Sequence, residues 1–324
     1  MKKAWALWLL WALAILPHIV LLCEQFRGSS LDPAKLGQFG DFVGGYAGTF
    51  AIFLSVYLVL KSYEDQKRTN ERGSFEGRFF ELLRYHRENV DELRVKHLTG
   101  RRVFVSMIRE FREVLEIVIE LSKSKKISAD PQPEMAEIQL AYLAFYYGVG
   151  PNSTRVFESS VPEPFYDEFV QSLTKEMESI QRKFNDLPTE HSEVDRRRIT
   201  RLDYRPFDGH QSRLGHYYRH LYQTVKYVAS HAPVDLATKK VKHSSLRRGR
   251  EYVDILRAQL SNHEQAILCL NAISPLGKAW TNEGFIEDFE FIKNIPLDFF
   301  SESELNLEAE FPKIKFESSR LESM

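Results

Sequence analysis

Residues 4–23 read AWALWLLWALAILPHIVLLC, and residues 42–60 read FVGGYAGTFAIFLSVYLVL. Both stretches lack Asp, Glu, Lys and Arg, and at ~1.5 Å rise per residue each is long enough to cross a hydrocarbon core ~30 Å thick. We therefore predict a transmembrane hairpin over residues 1–61, with helices at about residues 4–23 and 42–60. A cleaved signal peptide or a lipoprotein anchor fits less well, because three tryptophans interrupt the first stretch and no small-residue cleavage site precedes Cys23.

The basic residues around the hairpin predict its orientation. Two precede the first stretch, two lie in the loop and four follow the second stretch: Lys2 and Lys3; Arg27 and Lys35; Lys61, Lys67, Arg68 and Arg72. Basic residues are enriched on the cytoplasmic side of membrane proteins. We therefore expect a multi-pass protein that has both termini in the cytoplasm and the lipid bilayer as a partner.

Gly44 and Gly48 lie four residues apart, on one face of the second predicted transmembrane helix. Two missing side chains on one helix face allow another helix to approach closely. The partner is either the first helix of the hairpin or a second copy of the protein. A homo-oligomer is therefore one candidate assembly.

The rest of the chain is charged, aromatic and helically periodic, which predicts an all-α protein. Phe75, Phe79, Leu83 and Val90 recur at helical spacing, so we expect an amphipathic helix that continues from the membrane. The same periodicity predicts cytosolic helical regions, which a polar connection separates and an acidic, partly disordered tail follows. These segments are the helical regions 62–185 and 213–296, the Arg-rich connection 186–212 and the tail 297–324.

Charge and cysteine content restrict the possible functions. A net charge of −1 excludes a generally basic nucleic-acid binder but leaves a local basic patch open. Cys23 and Cys269 are the only cysteines, so a disulfide framework or a cysteine metal site is excluded. The arginines of the connection fit either a solvated surface or contacts to phosphate. They are Arg196, Arg197, Arg198, Arg201 and Arg205.

Residues 213–228, which read RLGHYYRHLYQTVKYV, form the most distinctive segment. On a helix, one side carries an apolar stripe formed by Leu214, Tyr218, Leu221, Val225 and Val228. The opposite side carries a polar face formed by His216, Arg219, His220, Gln223 and Tyr227. Lys and Glu would be typical of a plain solvent face, so this composition indicates a buried polar interface, a partner surface or a site. A packed second layer of helices is the more ordinary of these interpretations.

A helix junction is predicted further along the chain. Ser261 and Glu264 have the spacing of a capping box, so one helix ends near Leu260 and the next begins there. Arg257 and Gln259 flank this junction. We predict no metal and no cofactor, because His216 and His220 lack an evident third ligand and no phosphate-binding glycine loop is present.

Three segments together resemble a known family. They are the phenylalanine-rich residues 75–90, the segment GHYYRHLY at residues 215–222, and RAQLS at residues 257–261 with Glu264 and Asn271. In this order they resemble the phage abortive infection family of the AbiC-like group, over about residues 62–292 and including the preceding hairpin. The resemblance implies bacterial antiphage defence at the cytoplasmic membrane, with a phage-derived trigger or another defence protein as the partner.

Two mechanisms are compatible with this resemblance. The preferred hypothesis is a membrane-anchored sensor or effector that acts by association and has no active site. The alternative is a membrane-tethered ribonuclease of the HEPN type, in which an arginine and a histidine separated by four to six residues act on RNA. Three pairs have about this spacing: Arg205/His210, Arg213/His220 and Arg257/His263. Arg213 and His220 are the best catalytic candidates among them.

Overall fold

The computed structural model describes residues 19–20, 33–125, 136–150, 153–161, 167–185, 201–232, 244–301, 303 and 305–317. The chain divides into two compact units, residues 1–73 and 74–324. Helices make up most of the described residues, which confirms the all-α prediction. Of the first predicted transmembrane helix, only Ile19 and Val20 lie within the described residues, and both are helical.

Helix α1 (Pro33–Glu92) contains the second apolar stretch. Within that stretch large apolar side chains are exposed, as Ile52 at 66%, Phe53 at 70% and Val59 at 66% show. Among the described residues, one helix is long and apolar enough to span a membrane, and it is this one. The two-helix hairpin therefore remains a prediction.

The face of α1 that carries Gly44 and Gly48 is open. A Cβ atom added at either position would meet no described atom within 4 Å. Nothing in the described part of the chain therefore occupies the space that these glycines leave. Whether a second helix fills it remains a prediction.

The second unit combines the end of α1 with ten further α-helices and one β-hairpin among its described residues. Its first half contains β1 (Arg94–Val95), β2 (Leu98–Thr99), α2 (Arg101–Lys125), α3 (Glu137–Tyr147), α4 (Ser153–Ser160) and α5 (Asp167–Asn185). Its second half contains α6 (Gln211–His231), α7 (Ser244–Arg257), α8 (Asn262–Ile273), α9 (Lys278–Asn282), α10 (Phe285–Asp288) and α11 (Leu307–Glu310). Short 3₁₀ turns lie at Pro275–Gly277 and Leu297–Phe300.

Helix α2 forms the centre of this unit. Its apolar residues recur every three or four positions, and six of them are nearly inaccessible: Val103, Phe104, Met107, Phe111, Val114 and Val118. The helix packs against α3, α5 and α8, while α6 packs against α7. The apolar stripe of α2 therefore joins the first half of the unit to the second.

The β-hairpin leads directly into α2. Arg94 pairs with Thr99 and Val95 with Leu98 in an antiparallel ladder. Gly100 has φ +61°, a conformation that favours glycine, and its amide donates to the carbonyl of Leu93 at 2.9 Å. The hairpin thus reverses the chain between α1 and α2.

The predicted disorder of the tail is wrong for residues 305–317. Leu307, Phe311, Ile314 and Phe316 are between 0% and 6% exposed. Leu307, Phe311 and Ile314 have helical spacing, but Pro312 interrupts that helix and Phe316 follows Ile314 at strand spacing, so no single period marks this segment in the sequence. Apolar burial fixes this segment against the core in spite of its acidic composition.

The Arg-rich connection is described only from residue 201 onward; Arg196, Arg197 and Arg198 lie outside the described residues. Arg201 forms ion pairs with two carboxylates of α2: its Nη1 atom lies 3.1 Å from Glu113 and 3.5 Å from Glu116. Tyr204 and Phe207 are buried. Residues 201–210, the described part of the connection before α6, are therefore joined to the folded core.

Candidate functional site

Helix α6 carries the predicted polar face and both catalytic candidates, Arg213 and His220. Its apolar stripe is confirmed, because all five predicted side chains are buried: Leu214, Tyr218, Leu221, Val225 and Val228. Tyr217 and Thr224 are buried beside them. The helix therefore buries a wider face than the sequence pattern indicated, and this face includes the polar side chain of Thr224.

The predicted polar face of α6 divides into two parts. His216, Arg219 and Gln223 are exposed. Arg219 donates from Nε to the carbonyl of Gly215 at 3.0 Å, and its Nη2 lies 3.3 Å from Nδ1 of His216. These three side chains form a polar surface that a partner can reach.

His220 and Tyr227 instead contact the end of α1 that belongs to the second unit. The Nε2 atom of His220 lies 3.0 Å from the carbonyl oxygen of Leu82. The ring of Tyr227 stacks on Phe75 with centroids 5.4 Å apart. The two residues therefore hold residues 75–86 of α1 against α6.

Helix α7 completes this contact through Tyr252. Its ring meets Phe75 edge-on at 4.8 Å, and its hydroxyl donates to Oε1 of Glu76 at 2.9 Å. Phe79 also meets Tyr252 edge-on, at 5.2 Å. We call Phe75, Phe79, Tyr227 and Tyr252 the aromatic clamp.

His86 lies on α1 behind His220 and is 1% exposed. Its ring is nearly parallel to that of His220, with centroids 6.4 Å apart, and the centroid of the Tyr217 ring lies 5.7 Å away. Burial, together with the positive charges of His220 and Arg101, lowers the pKa of His86 to about 4. Among the described residues neither ring nitrogen of His86 has a hydrogen-bond partner. His86 is therefore a buried, neutral imidazole.

The predicted helix junction is confirmed as a capping box. The backbone amide and the hydroxyl of Ser261 donate hydrogen bonds to the Glu264 carboxylate at 2.8 and 2.6 Å. The backbone amide of Glu264 in turn donates a hydrogen bond to the Ser261 hydroxyl at 3.3 Å. Tyr217 and Arg101 each approach the carboxylate to 3.5 Å. Burial raises the pKa of Glu264, and this effect outweighs the hydrogen bonds from Ser261 and the charge of Arg101, which lower it. The junction therefore links α6, α8 and the start of α2.

Asn271 belongs to a second buried network on α8. Its Nδ2 donates to the hydroxyl of Tyr142 at 3.1 Å, and that hydroxyl donates to Tyr218 at 2.9 Å. Tyr218 then donates to the carbonyl of Ile267 at 3.1 Å. Burial raises the pKa of both tyrosines, so they stay neutral and act as hydrogen-bonding groups.

Arg257 and Gln259, which flank the capping-box junction, make different contacts. Arg257 is buried, and it donates to the carbonyls of Phe289 and Glu290 at 3.1 Å and pairs with Asp254 at 2.8 Å. The Gln259 carbonyl accepts a bond from Nη2 of Arg101 at 2.7 Å. Both residues thus connect neighbouring segments of the core.

A buried cluster around Glu110 was not predicted. The carboxylate accepts bonds from Tyr204 at 2.5 Å, from the amide of Phe207 at 2.6 Å, and lies 2.7 Å from Nε2 of His210. Burial alone would raise the pKa of Glu110, but His210 and the other donors outweigh it and hold the pKa below its usual value. One signal was present in the sequence, because Glu110 falls between Met107 and Val114 on the apolar face of α2.

Two glycines position this cluster. Gly148 and Gly209 have φ +72° and +78°, and a Cβ on either would lie 2.2–2.3 Å from backbone of the other segment. The amide of His210 donates to Tyr146, and the amide of Val149 donates to Phe207, both at 2.8 Å. The two segments therefore cross in direct backbone contact.

The three arginine–histidine pairs do not form a common site. Arg213 donates to the carbonyls of Arg94 and Gly209 at 3.1 Å, while His220 contacts Leu82. His210 is held by Glu110, and His263 packs edge-on against Phe299 at 5.4 Å. In the described part of the chain, no side-chain hydrogen bond joins the arginine and the histidine of any of these pairs.

The buried polar groups Glu110 and His210 stabilise the packing of the core through their hydrogen bonds. Glu110 and His210 are 0% and 2% exposed, so a substrate has no access to them in this conformation. Burial raises the pKa of the Cys269 thiol, which disfavours the reactive thiolate. Of the five residues of the predicted polar face, His216, Arg219 and Gln223 are accessible.

Comparison with known proteins supports one assignment. Residues 209–300 match the model of a family described as "Putative phage abortive infection protein". This confirms the family resemblance over a segment that includes α6, α7, α8 and the capping-box junction. No curated protein and no solved structure matches the chain.

Proposed function

Because residues 209–300 match a phage abortive infection family, we propose that this protein is a membrane-anchored antiphage defence protein that acts by association. The family match is the observation that carries the proposal. The proposed location is the bacterial cytoplasmic membrane, with a two-helix hairpin and both termini in the cytoplasm. The proposed partner is a phage-derived trigger or another defence protein.

The exposed apolar side chains of α1 support the membrane anchor. Burying apolar surface contributes ~25 cal/mol per Å², so exposed Ile52, Phe53 and Val59 are unfavourable in water. A lipid environment or a second apolar helix removes that cost. The helix is also long enough by length and composition to span a bilayer.

The proposed mechanism couples the family-matched segment to the membrane helix. Tyr227 and His220 of α6 and Tyr252 of α7 hold residues 75–86 of α1. In this mechanism a partner binds His216, Arg219 and Gln223 on the exposed side of α6 and shifts that helix. The shift alters the contact between α6 and residues 75–86 of α1. Clustering through the open Gly44/Gly48 face then compromises the membrane or recruits a toxic partner.

A plaque assay with matched variants tests this proposal. Gly48→Ile adds a bulky side chain to the open face, whereas Ala47→Ile adds a similar volume about 80° away from the centre of that face on the same helix. We expect Gly48→Ile to lose protection and Ala47→Ile to retain it, with both proteins in the membrane fraction. Equal protection by both variants contradicts clustering through this face.

The ribonuclease alternative is tested by His220→Ala alongside His220→Gln. Glutamine can still donate a hydrogen bond to the Leu82 carbonyl but cannot act as an imidazole acid or base. A packing role predicts that His220→Gln protects and His220→Ala is impaired. Loss of protection by a stable, membrane-bound His220→Gln protein would instead favour catalysis.

A further inference from the structure

Residues 94–102 read RVKHLTGRR, with four Lys and Arg side chains and no carboxylate. The segment comprises the β-hairpin and the first turn of α2, and that turn contains no acidic residue. The exposed carboxylates of Asp91 and Glu92 immediately precede the segment, so residues 91–102 together carry a formal charge of +2 (four Lys and Arg minus two carboxylates) in a chain of net charge −1.

Three of the four cations are exposed and unengaged. Arg94, Lys96 and Arg102 are exposed, and among the described residues their side chains have no hydrogen bond or ion pair. We call these three residues the basic hairpin. Clustered cations repel one another, so a ligand of opposite charge is favourable here.

The basic hairpin is held rigidly by the family-matched segment. Arg213 donates from Nε to the Arg94 carbonyl at 3.1 Å. Arg101 connects to the capping-box junction through the Gln259 carbonyl at 2.7 Å and Glu264 at 3.5 Å. The exposed cations therefore project from a fixed backbone, which lowers the entropy lost on binding.

From these contacts we infer that the basic hairpin binds the phosphate backbone of a nucleic acid. Two of its three members are arginines, whose planar fork matches phosphate oxygens in a bidentate geometry. The positive end of the α2 dipole adds to the attraction. Residues 94–102 contain no Phe, Tyr or Trp on which a base could stack, so the binding is to the backbone and independent of sequence.

The apolar residues of the hairpin argue against a lipid surface as its ligand. Val95 is 5% exposed, and Leu98 packs against the core, so neither is available to enter the acyl region of a membrane. Binding at the basic hairpin does not depend on the proposed membrane anchor or on clustering. It adds a nucleic acid to the partners of the second unit.

The test uses the full-length protein in detergent and fluorescence anisotropy with a labelled single-stranded RNA and a DNA duplex of mixed sequence. The triple variant Arg94→Ala/Lys96→Ala/Arg102→Ala removes the basic hairpin. Each phosphate contact contributes about 0.7–0.9 to the slope of log affinity against log salt, so we expect that slope to fall by about 2 and affinity by at least about tenfold at low salt.

A charge-matched triple, Lys175→Ala/Lys278→Ala/Lys315→Ala, removes three other exposed cations of the second unit and should bind within about twofold of the parent. Arg94→Lys/Arg102→Lys keeps the charge but removes the bidentate geometry, so its affinity should lie between those of the parent and of the triple alanine variant. Equal losses in both triples, or no nucleic-acid binding by the parent, overturn the inference. Binding to phosphatidylglycerol vesicles but not to nucleic acid, with the same sensitivity to the first triple, assigns the surface to lipid instead.

Discussion

The Nε2 atom of His210 lies 2.7 Å from Oε2 of Glu110, although 100 residues separate the two in sequence. Both side chains are buried, and the same carboxylate accepts bonds from Tyr204 and from the amide of Phe207. This single group therefore ties the end of the Arg-rich connection to the middle of α2. Buried charges are tolerated only where such partners are present.

Glu110→Ala should strongly destabilise the protein. The change leaves His210, the Tyr204 hydroxyl and the Phe207 amide without their acceptor, and removal of one partner from a buried pair costs about 3–5 kcal/mol. Thermal or denaturant unfolding of the detergent-solubilised protein measures the loss. Glu88→Ala on α1, which removes an exposed pair with Arg84, should cost less than about 1 kcal/mol. Similar losses for the two variants would show that the Glu110 cluster is not a stability element.

Stability should fall as the pH drops below about 6.5, in part through His86. Its pKa is lowered from 6.5 to about 4 in the folded protein, so the unfolded chain takes up the proton first as the pH falls. The folded state is penalised progressively between these two values and unaffected above them. We expect His86→Phe to flatten the dependence of unfolding free energy on pH across this window, by on the order of 3 kcal/mol in total.

The exposed His216→Phe variant is the matched control for His86→Phe. Glu110, whose pKa is lowered from 4.5, also loses its stabilising effect as the pH falls, but only below about 4.5. The comparison of each variant with the parent removes this common background. An unchanged pH dependence in His86→Phe would mean that burial of His86 does not disfavour its charged form.

Gly209→Ala and Gly77→Ala should have opposite effects. Gly209 has φ +78°, and a Cβ there would lie 2.2 Å from the carbonyl oxygen of Tyr147, so the backbone crossing must open. Gly77 is helical, and a Cβ there would meet no described atom within 4 Å. We expect Gly209→Ala to destabilise by more than about 2 kcal/mol and Gly77→Ala to stabilise by about 0.5–1 kcal/mol in thermal unfolding. Equal melting temperatures would rule out the tight crossing.

Local periodicity was enough to predict the helical class and the buried side of α6. Leu214, Leu221 and Val228 fall on one helix face by spacing alone, and packing followed that face. The Ser261/Glu264 capping box was also predictable, because both of its partners lie within one helical turn.

Contacts between distant segments could not be predicted in the same way. Glu110 and His210 meet only because Gly148 and Gly209 let two backbones cross, and no local pattern records that crossing. The division of the polar face had the same cause. His220 and Tyr227 are covered by α1, a helix more than 100 residues earlier in the chain, whereas His216 remains exposed.

Phe75→Ala should destabilise the second unit without releasing the protein from the membrane. Phe75 is 4% exposed within the aromatic clamp, so its removal should cost about 3–5 kcal/mol and abolish phage protection while the protein stays in the membrane fraction. Phe80 lies on the same helix but is 54% exposed, and Phe80→Ala should change stability by less than about 0.5 kcal/mol and preserve protection. Plaque counts, cell fractionation and thermal unfolding of both variants check this. Full protection by a Phe75→Ala protein would contradict a role for the clamp in coupling α6 and α7 to α1.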